Sequence, residues 1–303
     1  MAAMDSAPSF RSGFVALVGR PNSGKSTLLN QVLGEELSIV TPLPQTTRRR
    51  IKGVYTRDNL QIVFIDTPGI HRGGHQLNEV MLEEAAAAIT ESGIDCLCYL
   101  VDLSRDFGEE EALVASMVQK AKVPLLLVFN KIDRCQSVRE QIEKFSSLFP
   151  NLAKAAGIAI SAKNAGDAKR FLAALDRFIP EGPRYFDDET LSDVSMRFFA
   201  AEFIRKQIIL STREEVPHAV FVEIETYHER ENLHEVGAVI HVETMGQKGI
   251  IIGPKGTLIE KIRKGAEHDL GRLAGCRARI SCHVKVSPHW RDDKGFLRNS
   301  FSG

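Results

Sequence analysis

Residues 14–29 read FVALVGRPNSGKSTLL, and this stretch decides the fold of the first part of the chain. Four apolar residues at 15–18 predict a short strand that is buried on both faces, and residues 26–33 predict the start of a helix. The glycine-rich segment 19–26 joins them. Such a connection lets backbone N–H groups and the positive end of the helix face a phosphate chain. We therefore expect a phosphate-binding loop at this point.

The segment GRPNSGKS has the spacing of the Walker A motif. Lys25 is expected to reach the β- and γ-phosphates of a nucleotide, and Ser26 to offer its hydroxyl to Mg²⁺. An ordinary glycine-rich turn is the alternative, but a lysine and a serine that are both in register argue against it. The predicted nucleotide-binding residues of this loop are Gly19, Asn22, Ser23, Gly24, Lys25, Ser26 and Thr27.

Length and composition indicate a globular protein of two domains, with 303 residues of which 43% are hydrophobic and 26% charged. No apolar run approaches the length that spans a bilayer, and the first residues lack the pattern of a secretory signal. We therefore expect a cytoplasmic protein, and peripheral association with the inner membrane stays open. None of the five cysteines forms a CxxC pair, which argues against a zinc site and a disulfide framework.

The formal net charge is +0, but the charges are unevenly distributed. Residues 181–244 carry 6 Lys/Arg and 14 Asp/Glu, a net charge of −8, whereas residues 245–303 carry 12 and 5, a net charge of +7. A cancelled total can therefore hide a basic surface suited to nucleic acid.

Residues 38–53, SIVTPLPQTTRRRIKG, show no helical or strand period before residue 51 and predict a surface loop. We interpret this loop as a switch in which a threonine hydroxyl closes over Mg²⁺ and the γ-phosphate. Thr47 is the stronger candidate and Thr46 the weaker one. Contacts with phosphate or RNA, or a solvated charge run, are the two interpretations for Arg48, Arg49, Arg50 and Lys52.

Two predicted strands at residues 51–56 and 60–65 form a β-hairpin, and the second strand ends in DTPG. An aspartate at the tip of a strand beside the phosphate-binding loop can hold Mg²⁺ through water. A glycine three residues later can donate its N–H to the γ-phosphate, which is the role we expect for Gly69. The predicted magnesium ligands are Ser26, Thr47 and Asp66.

A buried strand predicted at residues 124–129 ends in NKID. Guanine presents two adjacent donors that one carboxylate accepts together, whereas adenine has no such edge. We expect Asp133 to accept both donors, and Asn130 and Lys131 to brace the loop and cover the ring. After a further strand at 157–160, the residues whose backbone is predicted to meet guanine O6 are Ser161, Ala162 and Lys163.

A further strand is predicted at residues 96–101, and the strands alternate with helices predicted at residues 78–92, 109–122 and 167–178. This alternation favours a mainly parallel sheet with ligand loops at the carboxyl ends of its strands. The four motifs GRPNSGKS, DTPG, NKID and SAK fall at such ends, and together they resemble the signature of the Ras-like P-loop GTPases. The resemblance implies an α/β domain over residues 13–180 that binds GTP or GDP with Mg²⁺ and hydrolyses GTP. An ATP-specific enzyme is the weaker alternative.

Ras-type enzymes carry a glutamine after the DxxG glycine to orient the attacking water, but this chain has Ile70 there. In this respect the chain is similar to the translation-factor-related GTPases, which implies slow intrinsic hydrolysis until another group completes the site. The same resemblance makes potassium activation through Asn22 a hypothesis, and His71 is a weaker alternative base. The predicted catalytic residues are Lys25, Thr47, Asn22 and Gly69.

Two prolines and a glycine at residues 179–183 mark the predicted domain boundary. We expect a flexible N-terminus at 1–12, the GTPase domain at 13–180, a linker at 181–190 and a second domain at 191–303. The predicted elements of the second domain are a helix at 192–210, strands at 219–226 and 236–242, helices at 248–252 and 257–273, and a strand at 277–286.

The order of these elements, with GPKG between the last two helices, resembles a small α+β domain of the type II KH class. KH domains clamp the backbone of single-stranded RNA at a GxxG turn. Pro254 removes one backbone donor from this turn, and we expect Ile251 and Ile252 to line the groove for bases. Trp290 is predicted to be a buried anchor. The predicted RNA-binding residues are Lys248, Ile251, Ile252, Gly253, Pro254, Lys255, Gly256 and Lys261. Candidate phosphate contacts are Lys248, Lys261, Arg263 and Lys264, and for the helix lysines a solvated face is an equally good interpretation.

Along nearly its whole length the chain resembles the Era family of bacterial GTPases, through PQTTR, DTPGI, NKID, the PEGP segment and the KH-like second half. The resemblance implies a monomeric ribosome-assembly factor that binds the 3′ end of 16S rRNA and helps mature the 30S subunit, with the GTP state gating RNA binding. The alternative is a regulatory GTPase switch that acts on protein or membrane partners.

Overall fold

The computed structural model describes residues 9–41, 43, 46–71 and 74–301, with residues 298–301 described for the backbone alone. Part of the predicted switch loop, at residues 42, 44 and 45, lies outside the described residues, as do residues 1–8 of the predicted flexible N-terminus. The chain forms two compact units, and the main division lies between Asp193 and Val194. Two short earlier segments, around Ile39 and at Gly74–Leu77, group with the second unit.

The first unit is an α/β layer structure, as the sequence predicts. Its elements are β1 (Arg11–Val18), α1 (Lys25–Leu33), β2 (Ile51–Arg57), β3 (Leu60–Asp66), α2 (Gln76–Thr90), β4 (Cys96–Asp102), α3 (Glu109–Val118), β5 (Leu125–Asn130), α4 (Val138–Leu148), β6 (Ala156–Ala159) and α5 (Ala165–Leu175). Helix α4 is the one element of this set that the sequence interpretation missed.

The six strands lie in the order β2-β3-β1-β4-β5-β6, and β2 is the antiparallel member. The chain leaves β1 towards β3 on one side and returns to β4 on the other side. The carboxyl end of β1 is therefore a topological switch point, which is where open α/β sheets place their ligands.

Strand β1 is apolar on both faces because both faces are covered. Val15 and Leu17 belong to one hydrophobic cluster with residues of α1 and α5, while Ala16 and Val18 belong to a second cluster with residues of α2, α3 and α4. Burial on both sides fixes the position of the loop that follows β1.

Two features at the ends of the first unit differ from the sequence expectation. Arg11 and Ser12, predicted within the flexible N-terminus, already belong to β1 because they pair with β3. The segment 181–190, predicted as a linker, packs on this unit: the backbone N–H groups of Tyr185 and Phe186 donate to Gln61 Oε1 at 2.8 and 3.0 Å. The side-chain oxygen of the buried Gln61 thus accepts two backbone hydrogen bonds that a neighbouring strand would accept in a sheet.

The second unit is a small α+β structure with the predicted order of elements and one additional helix at its end. It contains α6 (Met196–Ser211), β7 (Phe221–Arg230), β8 (Leu233–Val242), α7 (Met245–Ile252), α8 (Thr257–Ala274), β9 (Arg277–Val286) and α9 (Lys294–Phe301).

The sheet order of this unit is β7-β8-β9, in which β7 pairs antiparallel and β9 parallel to β8. Trp290 is 1% exposed and donates its indole N–H to the carbonyl of Ala219 at 3.0 Å. The prediction of a buried anchor is confirmed for this residue. In the described ranges, every helix is too short or too polar to traverse a lipid bilayer.

Candidate functional site

The loop after β1 turns at Gly24, which has a φ of +101° and immediately precedes α1. A side chain at this position would overlap the amide nitrogen of Asn130. Glycine is therefore required here both for the left-handed backbone and for the close approach of a second loop. The predicted residue Thr27 lies in the first turn of α1, directly behind this turn.

Lys25, the first residue of α1, is buried beneath the loop. Its ammonium donates to the carbonyls of Gly19 and Arg20 at 3.1 and 3.2 Å. Burial lowers the pKa of Lys25 to about 8, although the carboxylates of Asp66 and Glu111 act in the opposite direction. A bound anion beside the Lys25 ammonium would therefore offset the free-energy cost of burying its charge.

The three predicted magnesium ligands converge on one point. The hydroxyl of Ser26 lies 2.9 Å from Thr47 Oγ1 and donates to Asp66 Oδ2 at 2.7 Å. Ser38 Oγ, which the sequence interpretation missed, donates to the same carboxylate oxygen at 2.9 Å. No spacing rule marks Ser38, because it stands at the start of an irregular loop.

The other oxygen of Asp66, Oδ1, is buried and has no hydrogen-bond partner within the described ranges. Burial raises the pKa of Asp66, while the Lys25 ammonium and the hydroxyl donors oppose the shift. A buried carboxylate with an unpaired oxygen beside two hydroxyls is a donor set that suits Mg²⁺, which prefers a few oxygen ligands together with water and phosphate. The residues present therefore fit the predicted ion.

The segment after β3 lies against the phosphate-binding loop. A side chain at Gly69 would overlap the backbone of Pro21, and the N–H of Ile70 donates to the carbonyl of Gly19 at 3.1 Å. The side chain of Ile70 is fully buried in the hydrophobic core, so it has no polar group with which to orient water. His71 is also buried, and its Nδ1 lies 3.3 Å from the carbonyl of Gly69.

Asn130 joins two of the predicted loops. Its side-chain N–H donates to the carbonyl of Ser23 at 2.7 Å, and its side-chain oxygen accepts from the N–H of Ala162 at 2.9 Å. Asn130, Ser23 and Ala162 are all buried. The phosphate-binding loop and the SAK segment are thus tied to the end of β5.

The remaining residues of NKID and SAK frame this junction. Lys131 has a φ of +64° and donates its ammonium to Asp102 at 2.7 Å. Asp133 is exposed, with its carboxylate 3.9 Å from Arg134. The N–H of Ser161 donates to Asp167 Oδ2 at 2.8 Å, whereas Lys163 is exposed. An accessible carboxylate therefore stands beside a rigid polar junction.

A buried ion pair beneath the loop was not predicted. Arg20 Nε lies 2.8 Å from Glu111 Oε2 on α3, and Tyr99 donates its hydroxyl to Glu111 Oε1 at 2.5 Å. Burial raises the pKa of Glu111, and the Arg20 guanidinium opposes this shift. Arg20 thus faces the protein interior, and no sequence signal distinguishes it from the other variable positions of the Walker pattern.

The arginine run after Thr47 contacts other parts of the first unit. Arg50 donates to Glu84 at 2.7 Å and to Glu91 at 2.5 Å, both on α2, and Lys52 pairs with Asp193 at 3.1 Å. Both side chains stay partly exposed, at 31% for Arg50 and 41% for Lys52, so these contacts are surface ion pairs within the unit.

The GPKG segment of the second unit is a turn in which three of four residues have positive φ: Gly253 at 71°, Lys255 at 51° and Gly256 at 77°. A side chain at Gly253 would come within 2.8 Å of Leu258 Cβ. Before the turn, α7 begins in a capping box formed by Thr244 and Gln247. Helix α7 is thus capped at its start, and the turn at its end packs closely against the start of α8.

Three predicted lysines surround this turn. Lys255 and Lys261 are exposed and Lys248 is half-buried, and none of the three has an ion-pair partner in the part of the chain that the structure describes. Their helix neighbours differ. Arg263 pairs with Glu260 and Glu267, and Lys264 pairs with Glu260 at 3.4 Å.

The prediction for Ile251 is wrong. Ile251 is fully buried, whereas Ile250 is 48% exposed. Residues four positions apart share a helix face, so Ile251 follows the buried Gln247 into the core. Ile252 is half-buried at the end of α7, and Pro254 is exposed in the turn. Ile250 is therefore the exposed isoleucine of α7.

Comparisons with known proteins agree with both units. Residues 14–131 match the family model described as 50S ribosome-binding GTPase, and residues 215–291 match that of the KH domain. GTPase Era of Geobacter metallireducens is 40% identical over 293 residues, which span 95% of this chain and 97% of the relative. GTPase Era of Carboxydothermus hydrogenoformans is 40% identical over 298 residues, 96% of this chain and 97% of the relative.

Two solved structures match the chain over 96% of its length. One is Era in complex with MgGDPNP and nucleotides 1506–1542 of 16S ribosomal RNA, with a TM-score of 0.89, 30% identity and coverage of 96% of this chain and 98% of that chain. The other is a variant of Aquifex aeolicus Era bound to GDP and AlF₄⁻, with a TM-score of 0.90, 30% identity and coverage of 96% and 99%. Because the likeness extends over both units and reaches 40% identity across 95% of the sequence, the chain belongs to the Era family of GTPases.

Proposed function

We propose that this GTPase is a ribosome-assembly factor that binds the 3′ end of 16S rRNA through its second unit and helps to mature the 30S subunit. One observation carries the proposal. The chain combines a cluster of oxygen donors suited to Mg²⁺, formed by Ser26, Thr47 and Asp66, with a GPKG turn whose lysines have no ion-pair partner in the described ranges. A relative that covers 96% of the chain was crystallised with both MgGDPNP and a 16S rRNA fragment. The 50S description belongs to a model that matches residues 14–131 alone, so it does not bear on the RNA-binding unit.

In the proposed nucleotide site, the backbone of residues 19–26 and the Lys25 ammonium bind the phosphates. Asp133 accepts the two guanine donors, the stem of Lys131 covers the ring, and the backbone of the SAK segment meets guanine O6. The junction at Asn130 supports this assignment because it holds the phosphate loop and the base loops at a fixed separation.

Ser26, Thr47 and Asp66 are the proposed magnesium ligands, with Ser38 supporting the carboxylate. When bound, Mg²⁺ neutralises charge that develops on the β- and γ-phosphate oxygens. Lys25 stabilises the same charge, and the N–H of Gly69 donates to the γ-phosphate. Because Ile70 is buried and apolar, intrinsic hydrolysis is expected to be slow.

Asn22 is the proposed ligand of an activating K⁺ ion. It stands in the phosphate-binding loop with a φ of +60°, between the turn and Pro21. A cation at this place would supply positive charge to the transition state, as an arginine finger does in other GTPases. Turnover measured in potassium and in sodium buffers of equal ionic strength tests this role, and equal rates would contradict it.

In the second unit, the backbone of residues 253–256 and the side chains of Lys248, Lys255 and Lys261 are the proposed phosphate contacts. Ile252 and Pro254 are proposed to contact bases or sugars beside the turn, together with Ile250 in place of Ile251. The exposed apolar face of α7 supports this choice, because splayed bases of single-stranded RNA need such a surface.

We propose that GTP controls the RNA site through a shift in population. GTP would hold Thr47 and residues 66–71 on the phosphate, and the conformation that exposes the GPKG turn would gain stability. The protein is proposed to act as a cytoplasmic monomer. A regulatory switch acting on protein or membrane partners remains the alternative, and RNA binding separates the two.

The test measures binding of a single-stranded RNA with the sequence of the 16S 3′ end, in the presence of GDP or of a non-hydrolysable GTP analogue. We expect the affinity to depend on the nucleotide and to fall steeply with salt concentration. Lys255→Ala should weaken binding about threefold to tenfold and lower the salt slope by about one. Lys264→Ala is the matched control, because Lys264 is already paired with Glu260. RNA binding that is insensitive to nucleotide, salt and Lys255 would favour the alternative.

A further inference from the structure

Asp102, the last residue of β4, lies at the centre of a buried junction that none of the four sequence motifs contains. Its side chain is 0% exposed. Oδ1 accepts from the N–H and the hydroxyl of Ser104 at 2.9 and 2.6 Å. Oδ2 accepts from Lys131 Nζ at 2.7 Å and from Arg105 Nε at 3.0 Å. All four contacts are made to one carboxylate.

The two cations on Oδ2 come from different parts of the nucleotide site. Lys131 belongs to NKID, where its stem is proposed to cover the guanine ring. Arg105 donates from its other nitrogen, Nη2, to the carbonyl of Pro21 at 2.9 Å, and Pro21 lies in the phosphate-binding loop. Asp102 therefore connects the loop that reads the base with the loop that binds the phosphates.

The electrostatics favour an ionised Asp102. Burial opposes ionisation, but the hydrogen bonds from Lys131 and Ser104 outweigh it and lower the pKa of this carboxyl. A buried carboxylate with four donors is costly to leave unpaired, so it restrains the donors as well. The restraint matters for Lys131, whose backbone is left-handed and whose side chain would otherwise have many rotamers.

We propose that Asp102, acting with Arg105, is a positioning residue that sets the residence time of guanine nucleotide by coupling Lys131 to the phosphate-binding loop. The inference rests on the proposed nucleotide site and adds two residues to it that are not expected to touch the nucleotide. Without the carboxylate, Lys131 and Arg105 lose their common partner, and ordering both loops on the nucleotide becomes entropically more costly.

The experiment compares dissociation of fluorescently labelled GDP from the full-length protein and its variants by stopped flow, with thermal unfolding of each nucleotide-free protein alongside. Asp102→Asn keeps the shape of the side chain but places an amide N–H₂ or a neutral oxygen before two cations. We expect dissociation to be about tenfold to hundredfold faster, the range for a lost charged hydrogen bond. In a Lys131→Met background, Asp102→Asn should have little further effect, because the coupling runs through Lys131.

Arg105→Ala is the second variant, because this side chain is 44% exposed and its removal leaves no cavity in the core. We expect dissociation about threefold faster, with an unchanged unfolding midpoint. Arg139→Ala is the matched control. Arg139 is 90% exposed and pairs with Glu143 on α4, so its removal should change neither quantity.

The outcomes separate this inference from the proposed function. If the unaltered protein retains GDP and both variants release it at the unaltered rate, the coupling role of Asp102 is wrong and the nucleotide site stands. Equal effects of Asp102→Asn with and without Lys131 would also overturn it, since a general loss of structure would act in both backgrounds. Failure of the unaltered protein to bind GDP would overturn the proposed site and this inference together.

Discussion

The nucleotide site and the GPKG turn are built in opposite ways. At the proposed nucleotide site, Lys25, Asp66 and Asn130 are buried, and each makes a hydrogen bond to the phosphate-binding loop or the first turn of α1, so each residue is restrained before a ligand arrives. At the turn, positive φ angles shape the backbone while Lys248, Lys255 and Lys261 keep no ion-pair partner in the described ranges.

The contrast indicates two kinds of recognition. A restrained polar site selects a small ligand by geometry, because a ligand whose polar groups do not match leaves hydrogen bonds unmade and loses binding free energy. Exposed cations beside a turn suit the phosphate backbone of a nucleic acid, because their charge supplies affinity. Nearby apolar contacts then determine which bases lie at the turn. Substitutions at the first site should therefore act on ligand identity, and those at the second should act on affinity and its salt dependence.

The largest effect is expected at Asp133. Asp133→Asn replaces an acceptor that takes two guanine donors with an amide that takes one, so GDP should bind about 100- to 1,000-fold more weakly. Xanthosine diphosphate, which has an acceptor at the 2-position, should bind more tightly than before. Competition of both nucleotides against labelled GDP measures the change. Asp58→Asn, at an exposed hairpin position, is the control, and an unchanged preference in Asp133→Asn would contradict selection of guanine by this residue.

Thr47→Ala tests the proposed magnesium site. The hydroxyl of Thr47 lies 2.9 Å from Ser26 Oγ, and its loss should slow GTP hydrolysis about tenfold to hundredfold by removing one proposed magnesium ligand. GDP binding should change much less, since the phosphate loop and Asp133 stay intact. Single-turnover hydrolysis and GDP dissociation are measured in parallel. Equal losses in both would assign Thr47 a general structural role.

Gly253→Ala tests whether the backbone of the turn is the RNA contact. Alanine is strained at a φ of +71° and approaches Leu258, so the turn should move and RNA should bind about tenfold more weakly. Gly249→Ala is a matched control on α7, since a side chain there meets no atom within 4 Å and alanine favours the helix. Similar RNA affinities for the two variants would contradict the clamp, and nucleotide binding should stay unchanged in both.

The smallest functional effect is expected on α7. Ile250→Ala should weaken RNA binding about threefold and leave the unfolding midpoint unchanged, because Ile250 is exposed. Ile251→Ala should instead lower the free energy of unfolding by about 2–5 kcal/mol, as for other buried isoleucines. Thermal unfolding and RNA titration of the two variants measure both quantities. Weaker RNA binding in Ile251→Ala and lower stability in Ile250→Ala would instead support the original prediction that Ile251 lines the RNA groove.

Much of the fold was predictable because its elements carry strong local signals. Strand β9 was predicted at its observed bounds, and the hairpin of β2 and β3 followed from alternation around a polar turn. Helix α4 was missed although Val138, Ile142 and Phe145 recur at helical spacing and pack against the core, so its signal was present in the sequence. Helix α9 lies beyond the last predicted element, and its packing depends on rings that are distant in sequence, such as that of Phe221 against Phe296.

The sequence alone determined the motif residues and their order, because Lys25, Ser26, Asp66, Asn130 and Asp133 lie at backbone turns and strand ends that local spacing encodes. Tertiary structure alone decided which other side chains meet them. Asp102, Arg105 and Ser38 reach the site from separate strands and loops. It also placed Ile251 inside and Ile250 outside, since a run of three isoleucines carries no period from which to choose the buried face.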